Sequence, residues 1–289
     1  MTKVLILGST GMLGSAVTQE LKGSPFEVLT ASRSTGIRFD ASELNSDALL
    51  QESGISTGDW IINCVGLTKA RIDQQSAQSR AAAVRLNFDF PDNLSAAAAE
   101  RGARIVQVAT DCVFSGETGS YNENSPHDAE DVYGKTKSLG EVPSDNVMHL
   151  RCSLVGPEQG RNSLFFEWVR QQALNSSVTG FTDHLWNGLT SQAFGRIARG
   201  IISENLFAAG VQHLVPADIV TKAELVKIEL DALGRNDVTV SAKGTGSPVD
   251  RTLITLFPAK NEDLFAAAGY SKLPSIAQMV KEACADLPI

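Results

Sequence analysis

The sequence predicts a doubly wound α/β fold, in which a parallel sheet is covered by helices on both faces. Short apolar runs alternate with helix-like segments through the first half of the chain, as in repeated strand–helix units. These runs are rich in β-branched residues and apolar on both faces, as strands buried within a parallel sheet require. Several of the 24 glycines directly follow them, where strand-to-helix turns are expected.

The elements of the first half follow from these patterns in chain order. The predicted strands are Val4–Leu7, Glu27–Ser32, Trp60–Val65, Arg104–Ala109 and Val147–Cys152. The predicted helices are Met12–Lys22, Asp47–Glu52, Ser76–Arg101 and Val132–Glu141. Because proline does not continue a helix without distortion, we expect a kink or a break at Pro91, inside the long alanine-rich helix.

The second half of the chain has a less regular pattern. The predicted helices are Ser163–Leu174, Gln192–Ser203, Thr221–Leu233, Asn261–Ala268 and Ser275–Cys284, and the predicted strands are Val211–Val215 and Val238–Ala242. No linker rich in proline, glycine or serine separates the two halves. We therefore expect a small, mixed α/β cap over the carboxyl edge of the sheet, with segments that return to the first half.

Composition and charge exclude several classes of function. The 289 residues are 43% hydrophobic and 20% charged, as in ordinary globular proteins. A net charge of −8 argues against binding along a nucleic-acid backbone, which needs a basic surface. No apolar run approaches the ~20 residues that span a bilayer, and the first residues enter a strand without a signal-peptide layout. We expect no membrane or nucleic-acid partner and a cytoplasmic location.

The four cysteines form neither a CxxC pair nor a spacing typical of metal ligands. They are Cys64, Cys112, Cys152 and Cys284. Most of them lie in or beside apolar runs, so buried free thiols are the favoured interpretation. Free thiols indicate a reducing compartment, and the sequence predicts no metal site.

A glycine-rich turn connects the first strand to the first helix. It comprises Gly8, Ser9, Thr10, Gly11, Met12, Leu13 and Gly14. The first glycine permits a tight turn, the middle one a close approach to a diphosphate, and the last one close packing of helix on strand. Because a helix N-terminus attracts anions, the motif predicts a dinucleotide site. The alternative is a purely structural turn.

Residues at the ends of the next two strands indicate which dinucleotide binds. Arg33 follows the second strand, where an arginine suits a ribose 2′-phosphate and an acidic residue would suit free hydroxyls. It therefore favours NADP(H), unless it is a solvated loop arginine. Asp40 is placed either to reach the adenine or to form a turn. The third strand ends at Asn63, Cys64, Val65 and Gly66. We expect these residues beside the cofactor's ribose, unless they form an ordinary strand exit.

Tyr133 and Lys137 begin a predicted helix at i, i+4 spacing, so their side chains share one face. A phenol with a pKa near ~10 is a poor acid at neutral pH, and a neighbouring cation stabilises its anion. Tyr133 would then protonate a carbonyl oxygen while hydride arrives at the carbon. Thr110 follows the fourth strand, where its hydroxyl could bind the same oxygen. The alternatives are a surface Tyr–Lys pair and a threonine that only terminates a strand.

These motifs, taken in order, resemble those of the extended short-chain dehydrogenases/reductases, and among them the dTDP-4-dehydrorhamnose reductase branch. The matching segments are GSTGMLG (8–14), NCVG (63–66), RLNFDFPDNLSAAA (85–98), ATDCVFSG (109–116), YGKTKSLGE (133–141) and LRCSLVG (150–156). The resemblance implies a Rossmann fold, with residues 1–155 as the NADP-binding domain and residues 156–289 as the substrate-binding portion.

The resemblance also implies roles for particular residues. Thr110, Tyr133 and Lys137 would be the catalytic residues, and Lys137 would also bind the nicotinamide ribose. Asn87 would lie near the active site among the cofactor-binding residues, unless it is an ordinary helix asparagine. Two departures bear on the identity of the sugar. The family usually has a tyrosine at the position of Cys112, and its acidic helix start near Asp73 is replaced by Gln74-Gln75-Ser76.

The residues expected to contact the substrate come from both halves of the chain. They are Thr110, Asp111, Cys112, Arg151, Trp186 and Arg251. Arg151 ends the fifth strand and could bind a diphosphate bidentately, or it could be structural. Trp186 lies in a segment whose ring, amide and hydroxyl groups are typical of a sugar-binding wall. In the same segment His184 is either a second acid–base group or a loop-stabilising residue. Arg251 occupies a late position where relatives contact the nucleotide.

The sequence therefore predicts an NADPH-dependent reductase of a nucleotide-activated 4-keto-deoxysugar. One alternative is an NDP-sugar epimerase or dehydratase on the same fold. Dehydratases need an acid–base pair after the catalytic threonine, and the pair here, Asp111-Cys112, lacks the expected glutamate. The other alternative is a non-catalytic NADP-binding regulatory subunit. The expected partner is a nucleotide sugar, and a homodimer is common in such folds.

Overall fold

The structure, a computed structural model, describes residues 1–158, 164–285 and 287. The strands are β1 (Lys3–Leu7), β2 (Glu27–Ser32), β3 (Ile37–Arg38), β4 (Trp60–Asn63), β5 (Arg104–Thr110), β6 (Val147–Cys152), β7 (Leu154–Val155), β8 (Ser177–Phe181), β9 (His184–Trp186), β10 (Leu189–Thr190), β11 (Gly210–His213), β12 (Val220–Thr221), β13 (Thr239–Lys243) and β14 (Val249–Asp250). The α-helices are α1 (Met12–Glu20), α2 (Ser46–Glu52), α3 (Ala77–Val84), α4 (Phe90–Glu100), α5 (Val132–Leu139), α6 (Phe165–Arg170), α7 (Ser191–Ser203), α8 (Lys222–Ala232), α9 (Pro258–Ala267) and α10 (Ile276–Cys284).

A seven-stranded parallel sheet in the order β11-β6-β5-β4-β1-β2-β3 forms the centre. Val4 and Ile6 of β1 belong to one hydrophobic core, and Leu5 and Leu7 belong to another, because alternate residues of a strand face opposite sides. Residues of α1 and α7 complete the first core, and residues of α2 and α4 complete the second. The predicted doubly wound fold is confirmed.

The second half of the chain adds to this sheet and forms smaller ones. Strand β11 pairs in parallel with β6 at the edge of the large sheet. The small sheets are β10-β7, β12-β9-β14 and β13-β8, and the second of these is mixed, since β12 runs antiparallel and β14 parallel to β9. The division of the chain at residue 155 stays a prediction.

The long predicted helix Ser76–Arg101 is interrupted. It consists of α3, a π-helical turn at Arg85–Asp89, and α4. The break precedes Pro91 because a proline ring clashes with the carbonyl group four residues earlier, which here belongs to Asn87. The wider π turn accommodates that clash, and such turns are frequent at functional sites.

The other differences concern short elements. Helix α6 is shorter than the predicted Ser163–Leu174, and Ser163 itself lies outside the described residues. Strands β3, β7, β9, β10, β12 and β14 were not predicted, since strands of two or three residues carry too little periodicity to be recognised. Strand β8 was not predicted either, although its residues alternate between exposed and buried. Across the described part of the chain, no helix combines the length and the apolar character needed to cross a membrane.

Candidate active site

Two adjoining cavities lie at the carboxyl edge of the central sheet, with volumes of about 400 Å³ and about 220 Å³. Both are lined by Thr10, Gly11, Arg71 and residues 64–67. The larger cavity extends over the ends of β5 and β6 and the start of α5. The smaller one extends over the end of β2 and the turn that follows β3. Parallel α/β sheets bind their ligands at this edge.

The glycine-rich turn forms the floor that both cavities share. Gly8 has a φ of +75°, a backbone conformation that favours glycine. The N–H of Gly11 donates to the Gly8 carbonyl at 3.0 Å. A Cβ on Gly14 would lie 2.2 Å from that same carbonyl oxygen, so only glycine lets α1 pack this closely.

This turn fits the diphosphate of a dinucleotide. Helix α1 begins after Gly11 with no side-chain cap, which leaves its first N–H groups available to an anion. A Cβ on Gly11 would meet only the Gly8 oxygen, at 3.4 Å, so the backbone is open on the cavity side. The backbone atoms of this turn therefore form a cradle for an anion.

Alanine at these two glycines should have different effects. Gly14→Ala forces a backbone clash and should lower both stability, by about 1–3 kcal/mol, and dinucleotide affinity. Gly11→Ala makes an ordinary contact, so it should lower dinucleotide affinity with no change in melting temperature. Thermal denaturation and NADPH fluorescence titration measure the two effects. Equal melting temperatures for the two variants would contradict this account of the turn.

The smaller cavity has a cationic wall. Arg33 and Asp40 both line it. Two hydrogen bonds from Ser42 to Asp40 Oδ1, at 2.9 and 2.7 Å, are the main cause of the lowered pKa of Asp40, and the charge of Arg33 contributes. Asp40 thus caps the short turn Ala41–Glu43. Arg71, which the sequence reasoning missed because no motif marks its loop, lines both cavities.

Thr110, Tyr133 and Lys137 all line the larger cavity. Thr110 ends β5, where its Oγ1 accepts from the Cys112 N–H and donates to Asp111 Oδ1, both at 3.2 Å. Tyr133 and Lys137 lie in the first turns of α5, which begins at a side-chain cap from Asp131. The Lys137 ammonium donates to the Val108 carbonyl at 2.8 Å.

The surroundings of Tyr133 determine its protonation state. Burial is the main cause of the raised pKa of Tyr133, and a hydrogen bond with Thr110 opposes it. Tyr133 is therefore protonated at neutral pH and able to donate a proton. Burial lowers the pKa of Lys137, and the expectation that Lys137 stabilises the phenolate stays a prediction.

Asn87 fixes one wall of the larger cavity. Its Oδ1 accepts from the Leu67 N–H at 2.8 Å, and its Nδ2 donates to the Leu67 carbonyl and to Thr136 Oγ1, both at 3.1 Å. The side chain is 1% exposed, so it ties the loop after β4 to α5. A Cβ at Gly140 would lie 2.0 Å from the Asn87 carbonyl, which is why α5 can end against the π turn.

The two cavities bring together most of the predicted cofactor residues. Those that line a cavity are Gly8, Thr10, Gly11, Met12, Leu13, Arg33, Asp40, Cys64, Val65, Gly66, Asn87, Tyr133 and Lys137. Ser9, Gly14 and Asn63 line neither. Asn63 is buried, donates to Gln107 Oε1 at 2.8 Å and accepts from the Val65 N–H at 3.0 Å, so it shapes the strand exit.

Arg151, predicted to contact the substrate, is elsewhere. Its side chain is 1% exposed and lines neither cavity. It forms a bidentate ion pair with Glu141, and it donates to His213 Nε2 at 2.7 Å and to His127 Nε2 at 2.8 Å. With its donors engaged, the guanidinium has no free edge for a diphosphate, so we do not retain Arg151 in the substrate site.

Of the other residues predicted to contact the substrate, some line the larger cavity and others only support its wall. Thr110, Asp111 and Cys112 line the larger cavity. Arg251 does not; it donates to the carbonyls of Phe114 and Ser115 at 2.8 and 2.9 Å and so holds the loop after β5. Trp186 is buried, and its Nε1 donates at 2.8 Å to Ser153 Oγ. Ser153 itself lines the larger cavity, so Trp186 supports the wall from behind.

His184 is remote from these cavities. It lies in β9, and its Nε2 is 3.4 Å from Thr245 Oγ1. The neighbouring Asp183 accepts from the Thr245 and Gly246 N–H groups. These contacts favour the loop-stabilising interpretation over that of a second acid–base group.

The fold and the glycine-rich turn together define a dinucleotide-binding type of α/β protein. The family model described as the RmlD substrate binding domain matches residues 1–251. The chain therefore belongs to this family, and the resemblance seen in the motifs is confirmed.

Individual relatives match over different lengths. The probable low-salt glycan biosynthesis reductase Agl14 of Haloferax volcanii is 27% identical over 85% of each chain. The methionine adenosyltransferase 2 subunit beta of Xenopus laevis is 35% identical over 48% of this chain and 41% of its own length. The dTDP-4-dehydrorhamnose reductase of Mycobacterium tuberculosis is 33% identical over 48% of this chain and 44% of its own. The match with each of these last two relatives thus covers less than half of the relative's own length.

Solved structures share the whole fold. The dTDP-4-dehydrorhamnose reductase of Bacillus anthracis, solved in complex with NADP, has a TM-score of 0.78 and 19% identity over 98% of this chain and 99% of its own. The enzyme of the same name from Yersinia enterocolitica has a TM-score of 0.79 and 19% identity over 98% and 99%. At these identities the likeness concerns the fold.

Proposed function

We propose that this chain is an NADPH-dependent reductase of a nucleotide-activated 4-keto-deoxysugar. The observation that carries the proposal is the convergence of Thr110, Tyr133 and Lys137 on one cavity that begins at the glycine-rich turn. Family membership and reductases among the relatives support it. The cavity joins a dinucleotide cradle to a proton donor, and carbonyl reduction needs both.

The chain's own residues divide the work of the reaction. A reduced nicotinamide, when bound, supplies the hydride to the carbonyl carbon. Tyr133, kept protonated by burial, donates its phenolic proton to the carbonyl oxygen. The Thr110 hydroxyl, currently shared with Asp111, orients the same oxygen. Lys137 is buried with one N–H on Val108, which leaves its other donors for the nicotinamide ribose and for the charge that develops on Tyr133.

The decisive assay measures NADPH oxidation at 340 nm with a panel of dTDP- and UDP-linked 4-keto sugars. A reductase consumes NADPH in stoichiometric amounts and yields the alcohol. Conversion of the sugar without net NADPH loss would instead identify an epimerase or dehydratase that keeps its cofactor. Tight NADPH binding with no turnover of any sugar would favour the regulatory subunit.

We propose NADP(H) rather than NAD(H) because Arg33 lines the smaller cavity and suits a 2′-phosphate. Arg33→Ser should raise the Kd for NADPH by about 10- to 100-fold, since hydrogen bonds to charged groups contribute about 1.5–3 kcal/mol, and should leave the Kd for NADH unchanged. Fluorescence titration of both cofactors gives this comparison. Arg38→Ser is a matched control, because Arg38 is exposed in the adjacent strand and lines neither cavity. An equal loss for both cofactors would refute the role of Arg33 in 2′-phosphate recognition.

A further inference from the structure

Lys222 is a half-buried lysine at the start of α8. Its ammonium nitrogen lies 4.9 Å from the centroid of the Trp186 ring and 5.1 Å from that of the Phe165 ring, so the cation sits between two aromatic faces. Within the described ranges, Lys222 makes no hydrogen bond and no salt bridge. The aromatic rings do not accept hydrogen bonds as an oxygen atom would, so the N–H donors of the ammonium remain available to a ligand.

This ammonium is electrostatically linked to the catalytic wall. Burial lowers the pKa of Lys222 to about 8, while the charge of Asp111 opposes that shift. In return, the charge of Lys222 lowers the pKa of Asp111, which burial raises. Asp111 accepts a hydrogen bond from the Thr110 hydroxyl and lines the larger cavity.

Lys222 itself lines neither cavity, but its two aromatic neighbours connect it to the wall of the larger one. Trp186 donates to Ser153 Oγ at 2.8 Å, Phe165 directly follows Leu164, and both Ser153 and Leu164 line that cavity.

The two arginines expected to bind the substrate's diphosphate are occupied elsewhere, and Arg71 lines the smaller, cofactor-side cavity as well as the larger one. Arg151 is enclosed by Glu141 and two histidines, and Arg251 holds backbone carbonyls. Lys69 pairs with Asp131 at 2.8 Å. A nucleotide sugar carries its permanent negative charge on the diphosphate, which is attached to the sugar ring itself. An ammonium with free N–H donors close to the wall of the larger cavity has the chemistry to bind this diphosphate.

We propose that Lys222 is a specificity-determining residue of the substrate site, whose ammonium binds the diphosphate of the nucleotide sugar. This inference rests on the proposed function, because it assumes that the larger cavity receives that substrate. The aromatic pair orients the side chain, so the ammonium is preorganised for the anion and favours substrates that carry a diphosphate.

The test is calorimetric titration of the NADPH-bound protein with dTDP and with UDP. Lys222→Met removes the charge and keeps an unbranched apolar side chain; it should raise the Kd of the preferred diphosphate by about 10- to 100-fold. NADPH affinity should not change. Lys227→Met is the matched control, because Lys227 is exposed on the same helix and should bind as the wild type does. Lys222→Gln also removes the charge and serves if the methionine variant fails to fold.

The pH dependence gives a second readout. Anion binding needs the protonated amine, so wild-type affinity for the diphosphate should fall as pH rises through about 8. Asp111 and Cys112 are the titratable groups that face Lys222, and the pKa of Cys112 is raised to about 12, which keeps its thiol protonated in this range. Lys222→Met should lack the pH-dependent step.

The outcomes separate this inference from the function on which it rests. If the wild type binds a diphosphate and reduces a keto-sugar, but Lys222→Met binds equally well, the inference is overturned and the function stands. If the wild type binds NADPH but neither dTDP nor UDP, the substrate class itself is wrong. A selective loss in Lys222→Met, with KM raised and kcat little changed, establishes the proposal.

Discussion

Replacing Tyr133 with phenylalanine should lower kcat for keto-sugar reduction by about 100- to 10,000-fold, the range that a positioned general acid contributes. The phenol lines the larger cavity and is held protonated by burial, and phenylalanine keeps the ring while removing the proton. Because the ring and the glycine-rich turn are intact, NADPH affinity should stay within about twofold of the wild type. Steady-state kinetics and NADPH fluorescence titration measure the two quantities.

The control is Lys135→Ala, since Lys135 is exposed on the same helix and should leave kcat unchanged. A Tyr133→Phe variant with wild-type turnover would mean that another group donates the proton. If neither protein turned over any keto-sugar while both bound NADPH, the catalytic interpretation of Thr110, Tyr133 and Lys137 would fail as a whole.

Local patterns in the sequence were sufficient for the parts of the site that depend on backbone. Gly8 and Gly14 are required by a positive φ and by a close approach to the Gly8 carbonyl, and such requirements leave glycines at fixed spacing. Thr110 and Tyr133 follow from the ends of predictable elements, because all parallel strands deliver their last residues to one edge. These residues could therefore be assigned to one site before any contact was known.

Side chains that depend on tertiary contacts could not be assigned in this way. Arg151 lies near the end of β6 at the correct edge of the sheet, yet its neighbours Glu141 and His213 come from the segment after α5 and from β11, and no local pattern records those contacts. Lys222 is the opposite case: in the sequence it is an ordinary first residue of a helix, and its proposed role depends on the packing of Trp186 and Phe165 around it. Burial and partners, more than residue type, separate a structural cation from a ligand-binding one.

Arg151 gives the sharpest test of that distinction. Arg151→Met should lower the free energy of unfolding by about 3–5 kcal/mol, because it leaves the buried carboxylate of Glu141 without its partner. The ring nitrogens of His213 and His127 that accept from the guanidinium would lose their donor as well. Urea denaturation of the NADPH-free protein measures this loss.

The double variant Arg151→Met/Glu141→Gln should recover part of that stability, since replacing both members of a buried pair costs much less than removing one.

His213 makes the stability depend on pH. Burial and the charge of Arg151 lower its pKa to about 4. The fold is therefore stabilised while His213 is neutral, and this contribution is lost as pH falls from about 6.5, the ordinary pKa of histidine, toward 4. Without the guanidinium this acid sensitivity should diminish, because the charge that opposes protonation of His213 is gone. In folded Arg151→Met, affinity for a nucleoside diphosphate should equal that of the wild type. Full stability combined with a loss of diphosphate binding would reverse the assignment and return Arg151 to the substrate site.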